Sequence, residues 1–202
     1  MAKTYIKFLE PFENELVDKI KKKGLTITVS GSSGSGKSTG AKALAKAFNL
    51  EYVFAGDIQR KIAKEKGIPL EEQVRLRGKD VDYEMDKRNL EFAMKGDVVI
   101  DARLSGWCAG DWADVKIFYD CPLEVRASRA ALRDNVPLEE SVKNIEKRDE
   151  EDNKKYNELY GIDAFDKSIY DFVIDNKNLT KEEAENMPVK LVKEFLKKKM
   201  KE

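Results

Sequence analysis

The stretch Leu25-Thr26-Ile27-Thr28-Val29-Ser30-Gly31-Ser32-Ser33-Gly34-Ser35-Gly36-Lys37-Ser38-Thr39 decides the fold. Residues 25–30 are apolar and β-branched and read as a buried strand, while residues 37–48 place Ala41, Leu44, Ala45 and Phe48 on one helical face. Between them stands a complete G-x-x-x-x-G-K-[ST] loop, a strong signal because strand and helix flank it as the motif requires. Gly31, Gly34 and Gly36 let the backbone turn so that successive N–H groups point inward, and the helix opening near Lys37 adds the positive end of its dipole. Ser32, Ser33, Ser35 and Thr39 complete a cradle for the phosphates of a nucleotide. Lys37 supplies a point charge there, and the Ser38 hydroxyl is placed to ligate Mg²⁺.

The remainder of the composition is consistent with one domain of this class. The chain has 202 residues, enough for one core, with 41% hydrophobic residues to fill it. Charged residues make up 38%, well above the usual level of about a quarter, and Lys+Arg and Asp+Glu balance at 38 each. That balance gives no net positive field to recruit nucleic acid or an anionic membrane. There is no histidine, which excludes a Ser-His-Asp triad, a Cys-His nucleophile and histidine-ligated zinc, and Cys108 and Cys121 are too few for a four-cysteine site. Both read as reduced thiols of an intracellular protein. With no apolar run of membrane-spanning length and acids where a signal peptide needs an unbroken apolar stretch, the sequence implies a cytoplasmic protein. The Lys, Glu and Arg content also fits a heat-adapted source.

From about residue 25 to 175, short β-rich runs alternate with longer helical patterns, the signature of a parallel sheet covered by helices. Strands are expected at 25–30, 52–54, 98–101, 115–119 and 172–175. Helices are expected at 11–23, 37–48, 58–66, 83–94, 122–133, 138–159 and 189–196, the terminal two packing on the sheet.

Ligands of such folds bind at the C-terminal ends of the strands, so the residues just beyond each strand matter most. After the second come Gly56, Asp57 and Arg60; after the third, Asp101 and Arg103. Asp101 can hold a Mg²⁺-bound water beside the loop. Arg60 and Arg103 are placed to grip a phosphate with their planar guanidinium forks. Arg148, Asp152 and Lys155 share one face of the long helix, and Arg126 and Arg129 lie one turn apart, able either to close over a transferring phosphate or to face water.

The run 25–175 resembles the cytidylate kinases of archaea, a branch of the nucleoside monophosphate kinases. The matching pieces are the P-loop, Ala55-Gly56-Asp57 with Arg60, Asp101-Ala102-Arg103-Leu104-Ser105-Gly106-Trp107, the run VKIFYDCPLEVRASR, the row from Arg148 to Lys155, and Tyr160-Gly161-Ile162-Asp163 leading to the last strand. The resemblance implies a P-loop NTPase fold in one domain over 1–202: a helical extension at 1–24, monophosphate-binding helices at 57–96 and a lid at 126–160. It implies transfer of the γ-phosphoryl group of ATP to CMP or dCMP by a monomer with Mg²⁺. Lys37, Arg126, Arg129 and Arg148 would be catalytic. Gly56, Asp57, Arg60, Arg88, Asp101, Arg103, Asp152 and Lys155 would bind the acceptor, Asp152 facing the base. Two departures stand out: Leu104 replaces an acid of the bacterial branch, and Lys155 replaces an arginine.

Other readings remain open from residues alone. A P-loop kinase of a hydroxylated metabolite would want a general base, for which Asp57 is the candidate. A non-catalytic P-loop ATPase module would use the terminal helices. No guanine-reading Asn-Lys-x-Asp is present, since Asn176-Lys177-Asn178 is followed by Leu179.

Overall fold

Strands covered on both faces carry β-branched and apolar residues, and the two most completely buried, Thr26–Gly31 (β1) and Val98–Asp101 (β3), lie side by side with every residue buried. They belong to a computed structural model that describes residues 2–67 and 79–201, with the Lys79 side chain excepted. Part of the expected 57–96 insertion, residues 68–78, lies outside the described residues. With Glu51–Phe54 (β2), Val115–Asp120 (β4) and Phe172–Asp175 (β5) they form a five-stranded, wholly parallel sheet in the order β2-β3-β1-β4-β5. The register sets Phe54, Asp101 and Val29 level on neighbouring strands, so the ends of β2 and β3 reach the edge from which the P-loop departs.

Helices cover both faces. Lys37–Phe48 (α2) and Lys181–Lys199 (α8) pack with β1, β4 and β5 around Ile27, Val29, Leu44, Ile117 and Val192. Ala55–Glu65 (α3) and Lys79–Lys95 (α4) close over β2 and β3 through Ile58, Ile62, Met85 and Ile100. A short helix Ser105–Ala109 (α5) follows β3, and Leu123–Asp134 (α6) and Leu138–Tyr160 (α7) form a pair beyond β4. Pro122 and Pro137 stand at the N-caps of α6 and α7, where a missing N–H costs nothing, and Asn135 and Gly161 end them in the left-handed region.

The N-terminal helix expected at 11–23 is shorter. A 3-10 turn leads into Glu10–Leu16 (α1), and by residue 23 the backbone runs against the C-terminal end of α4, Lys23 N donating to Lys95 O at 2.7 Å. Leu16, Val17 and Ile20 still pack inward, in a cluster with Ile6, Leu9, Leu90 and Met94. Glu13 is buried because it accepts from Thr4 N (2.8 Å) and Trp112 Nε1 (2.5 Å). At the other end α8 begins earlier than expected, at a capping box between Thr180 and Glu183, and runs through Pro188. Cys108 and Cys121 are buried and free. No helix of the described residues is long and apolar enough to cross a membrane.

Under the P-loop, α2 approaches β4 so closely that a methyl added at Gly40 would overlap the Tyr119 hydroxyl, which donates to Ala184 O on α8 at 3.0 Å. Gly40→Ala is therefore expected to lower stability by about 1–3 kcal/mol, and to cost measurably less in a Tyr119→Phe background, where the overlapping oxygen is gone. Urea unfolding of the four-member cycle checks it; equal costs in both backgrounds would contradict it.

Candidate active site

The C-terminal edge of β1, β2 and β3 opens into a cleft of about 480 Å³, floored by the P-loop and walled by α3 and α4 on one side and α6 and α7 on the other. Ser33, Gly34, Gly36, Lys37, Ser38 and Thr39 line the floor. Gly31, Ser32 and Ser35 form the layer beneath. Gly36 caps α2 with φ of 88°, and a side chain there would also collide with the amide of Asn176. That amide donates to Ser35 O at 2.6 Å. Asn176 was legible only as a failed guanine motif; its place after β5 was the usable signal.

Lys37 is half-buried and donates to Ser32 O at 3.3 Å. Burial pulls its pKa down to about 8, against the opposing attraction of Asp101, with Arg103 and Arg148 pushing the same way as burial. Asp101 accepts from the Tyr52 hydroxyl at 2.8 Å through Oδ2, while its Oδ1 is buried without a hydrogen-bond partner. Burial and then the Asp101 charge hold the Tyr52 phenol above its ordinary value. The Ser38 hydroxyl and the unpartnered Asp101 oxygen make a donor set that suits a hard cation keeping most of its water and taking further ligands from phosphate. Ser38 and Asp101 thus fit Mg²⁺.

The basic residues fall into two groups. Arg103, Arg129 and Arg148 line the cleft. Arg103 donates to Asp149 Oδ1 at 3.1 Å, its Nε lies 2.9 Å from Asp152 Oδ2, and its Nη2 is buried without a partner. Arg129 is aimed by Asn176 O (2.8 Å), and Arg148 Nε lies 3.9 Å from Asp152 Oδ2. Arg133, which the sequence did not single out, also lines the cleft, with its fork on Asp134 at 2.6 and 2.7 Å.

The second group stands outside the lining. Arg126, expected to act on the transferring group, is buried and spent on Cys121 O (2.9 Å), Ser33 O (3.2 Å) and Asp149 (2.7 Å), which makes it a brace for the P-loop. Asp57 and Arg60 are exposed and paired with each other. The phase of α3 explains this: Gly56 and Gln59 face the cleft, so the residues one position later turn away. On α4 the inward positions are Asp82, Met85, Asp86 and Asn89, which turns Arg88 toward Glu65 (2.5 Å) and Glu84 (3.0 Å). Lys155 bridges Asp82 (3.2 Å) and Asp152 (3.4 Å). Asp82, Asp86 and Asn89 were missed, although their spacing of four and three along one helix face was readable.

The family model described as an AAA domain matches residues 27–171. A cytidylate kinase of Pyrococcus horikoshii is 44% identical over 160 residues, covering 78% of this chain and 83% of that one. One from Staphylothermus marinus is 39% identical over 175 residues, 86% of this chain and 99% of that one. The chain belongs to the cytidylate kinases. Among solved structures, shikimate kinase from Acinetobacter baumannii superposes with a TM-score of 0.57 at 14% identity, over 92% of this chain and 98% of that one. A gluconokinase from Sinorhizobium meliloti reaches 0.53 at 17%, over 89% and 99%. These likenesses establish the P-loop kinase fold that the cytidylate kinase family shares.

Two titrations follow from this site. Bound phosphates favour the charged form of Lys37, so binding raises its pKa from about 8 and takes up a proton. At about pH 8, calorimetry of nucleoside triphosphate binding in two buffers of different ionisation enthalpy is expected to read an uptake near half a proton, absent in Lys37→Arg, with affinity falling as pH rises further. Asp86 is buried, and desolvation raises its pKa to about 6 even though Tyr160 and Cys108 donate to it. A carboxylate raised in the folded state costs stability as pH climbs from about 4 to 6 and throughout the range above. Asp86→Asn is expected to gain about 1–3 kcal/mol at pH 8 and nothing below about pH 4, read by thermal melting across pH.

Proposed function

We propose that this chain transfers the γ-phosphoryl group of ATP to the phosphate of CMP or dCMP. The observation that carries this reading is a complete P-loop facing, across one cleft, an arginine with a buried and unpartnered N–H, Arg103, in a member of the cytidylate kinase family. The floor amides and Lys37 cradle the donor phosphates. Ser38 and, through water, Asp101 would hold Mg²⁺, which when bound with the nucleotide supplies charge neutralisation across the phosphates.

A phosphate acceptor is already ionised near neutrality, so the chain needs no general base; its task is alignment and charge compensation. Arg103 grips the acceptor phosphate, and Arg60 joins it on exchanging Asp57 for phosphate. Arg129 and Arg148 meet charge on the group in flight, and Arg126 keeps the P-loop carbonyl of Ser33 turned away from it. The helices between 57 and 96 serve as the acceptor-binding element and 126–160 as the lid, whose α7 reaches the core through Asp149 and Asp152. A hydroxyl acceptor is disfavoured, because Asp57, the candidate base for it, is exposed and paired with Arg60.

A coupled assay over CMP, dCMP, UMP, AMP, GMP, shikimate and gluconate tests the reading. CMP or dCMP is expected to be the best acceptor; a sugar or hydroxy acid in that place would overturn it. Lys37→Ala is expected to lower kcat by orders of magnitude with an unchanged melting curve. Arg103→Ala is expected to raise the KM for the monophosphate by about tenfold or more while sparing that for ATP, since it removes a contact made in the ground state. A shift confined to the ATP KM would contradict the assignment of Arg103.

A further inference from the structure

Most charged groups of the cleft are committed. The P-loop serves the donor, and Asp152, the acid expected to face the base, is held by Arg103 Nε at 2.9 Å and Lys155 at 3.4 Å. The polar face of α4 is different. Asp86 is more than nine-tenths buried, with Tyr160 Oη donating to Oδ2 at 2.5 Å and Cys108 Sγ to Oδ1 at 3.4 Å. Those two donors from α7 and α5 fix the plane of the carboxylate, and each oxygen keeps a lone pair for a further donor. One turn on, Asn89 is 2% exposed and its Oδ1 has no partner. From α3, the same cleft receives Gln59, whose Nε2 is buried without an acceptor.

Unpaired buried polar groups cost stability, and so does a buried carboxylate whose charge is not neutralised. The unpartnered Asn89 Oδ1 and Gln59 Nε2 and the spare lone pairs of the buried Asp86 carboxylate line one cleft and form a recognition surface. Acceptors on α4 and a donor on α3 suit an edge that offers an amino group beside a ring acceptor.

Resting on the CMP kinase reading above, we propose that Asp86 and Asn89, with Gln59 opposite, read the base of the acceptor and select cytosine over uracil. The exocyclic amino group of cytosine donates to the α4 oxygens, and its ring N3 accepts from Gln59. Uracil presents an oxygen to the carboxylate and an N–H to the Gln59 amide, so both contacts become repulsive. Asp86 carries the selectivity, because an amide can turn over to present its NH₂ group and an ionised carboxylate cannot.

The test is kcat/KM for CMP and UMP at about pH 8, where the carboxyl is ionised, in the wild type, Asp86→Asn, Asn89→Ala and Gln59→Ala. The wild type is expected to prefer CMP by at least about fivefold. Asp86→Asn is expected to narrow that gap by about 5- to 150-fold by losing CMP activity and gaining UMP activity, with the KM for ATP and the melting cooperativity unmoved. Asn89→Ala and Gln59→Ala are expected to lose CMP activity selectively, and supply the reading should Asp86→Asn fold poorly. A CMP/UMP ratio unchanged in all three variants, or equal losses for both substrates, overturns the base-reading role and leaves the kinase reading standing. A wild type that phosphorylates neither pyrimidine monophosphate overturns the kinase reading itself.

Discussion

If the amides of the P-loop are to face phosphate, its carbonyls must face the protein and find donors there. That constraint shapes everything behind the loop. Ser35 O takes the Asn176 amide from the end of β5, Ser33 O takes Arg126 from α6, and Ser32 O takes Lys37 itself. A buried carbonyl without such a partner would cost about 1–3 kcal/mol. The same donors are chained onward: Asn176 O accepts from Arg129, and Arg126 reaches Asp149 on α7. One loop's backbone geometry therefore recruits a strand end, two helices, the buried Arg126 and the cleft's Arg129.

The sheet supplies the other half of the arrangement. Because β1 lies between β3 and β4, the loop emerges at the centre of the C-terminal edge, and Asp101 arrives beside it with one oxygen already taken by Tyr52 of β2. The remaining oxygen is left buried without a hydrogen-bond partner, in a residue that lines the cleft. The N-terminal arm works at a distance from this chemistry. Through Glu13, Thr4, Ile6 and Leu9 it fastens α4 and α5 to each other, and α4 carries the acids of the cleft wall.

The fold was largely legible in the sequence, the wall of the site much less so. Strands β1, β3 and β4 are short runs rich in Val, Ile, Thr and aromatic residues, the composition that a parallel central strand favours. The P-loop announces itself by glycine spacing. The wall is harder to read because it depends on which helix face meets the cleft: Ile58 and Ile62, one turn apart, dock under β2 and β3 and thereby turn Gln59 toward the cleft and Arg60 away. The contact of Arg126 with Ser33 O is not legible in the sequence, because it depends on how α6 packs. The N-terminal helix is shorter than its hydrophobic spacing suggests: past Leu16 the chain makes one last turn, Ile20 N donating to Leu16 O, and then continues without further helical bonding. The start of α8, by contrast, was written in Thr180-Lys181-Glu182-Glu183 and overlooked.

Arg103 is never bare. With Asp149 at 3.1 Å and Asp152 at 2.9 Å, its charge is answered by the protein's own anions. An anion arriving there would find one unpartnered nitrogen, Nη2, and would compete with the two carboxylates for the rest of the fork, so its net affinity would fall below the full strength of an arginine pair. Such a competition would favour a doubly charged phosphate with several oxygens over a singly charged anion. The two aspartates, one turn apart, thus divide the charge of one guanidinium between them and tie the helix that carries Arg148 to the segment that follows β3.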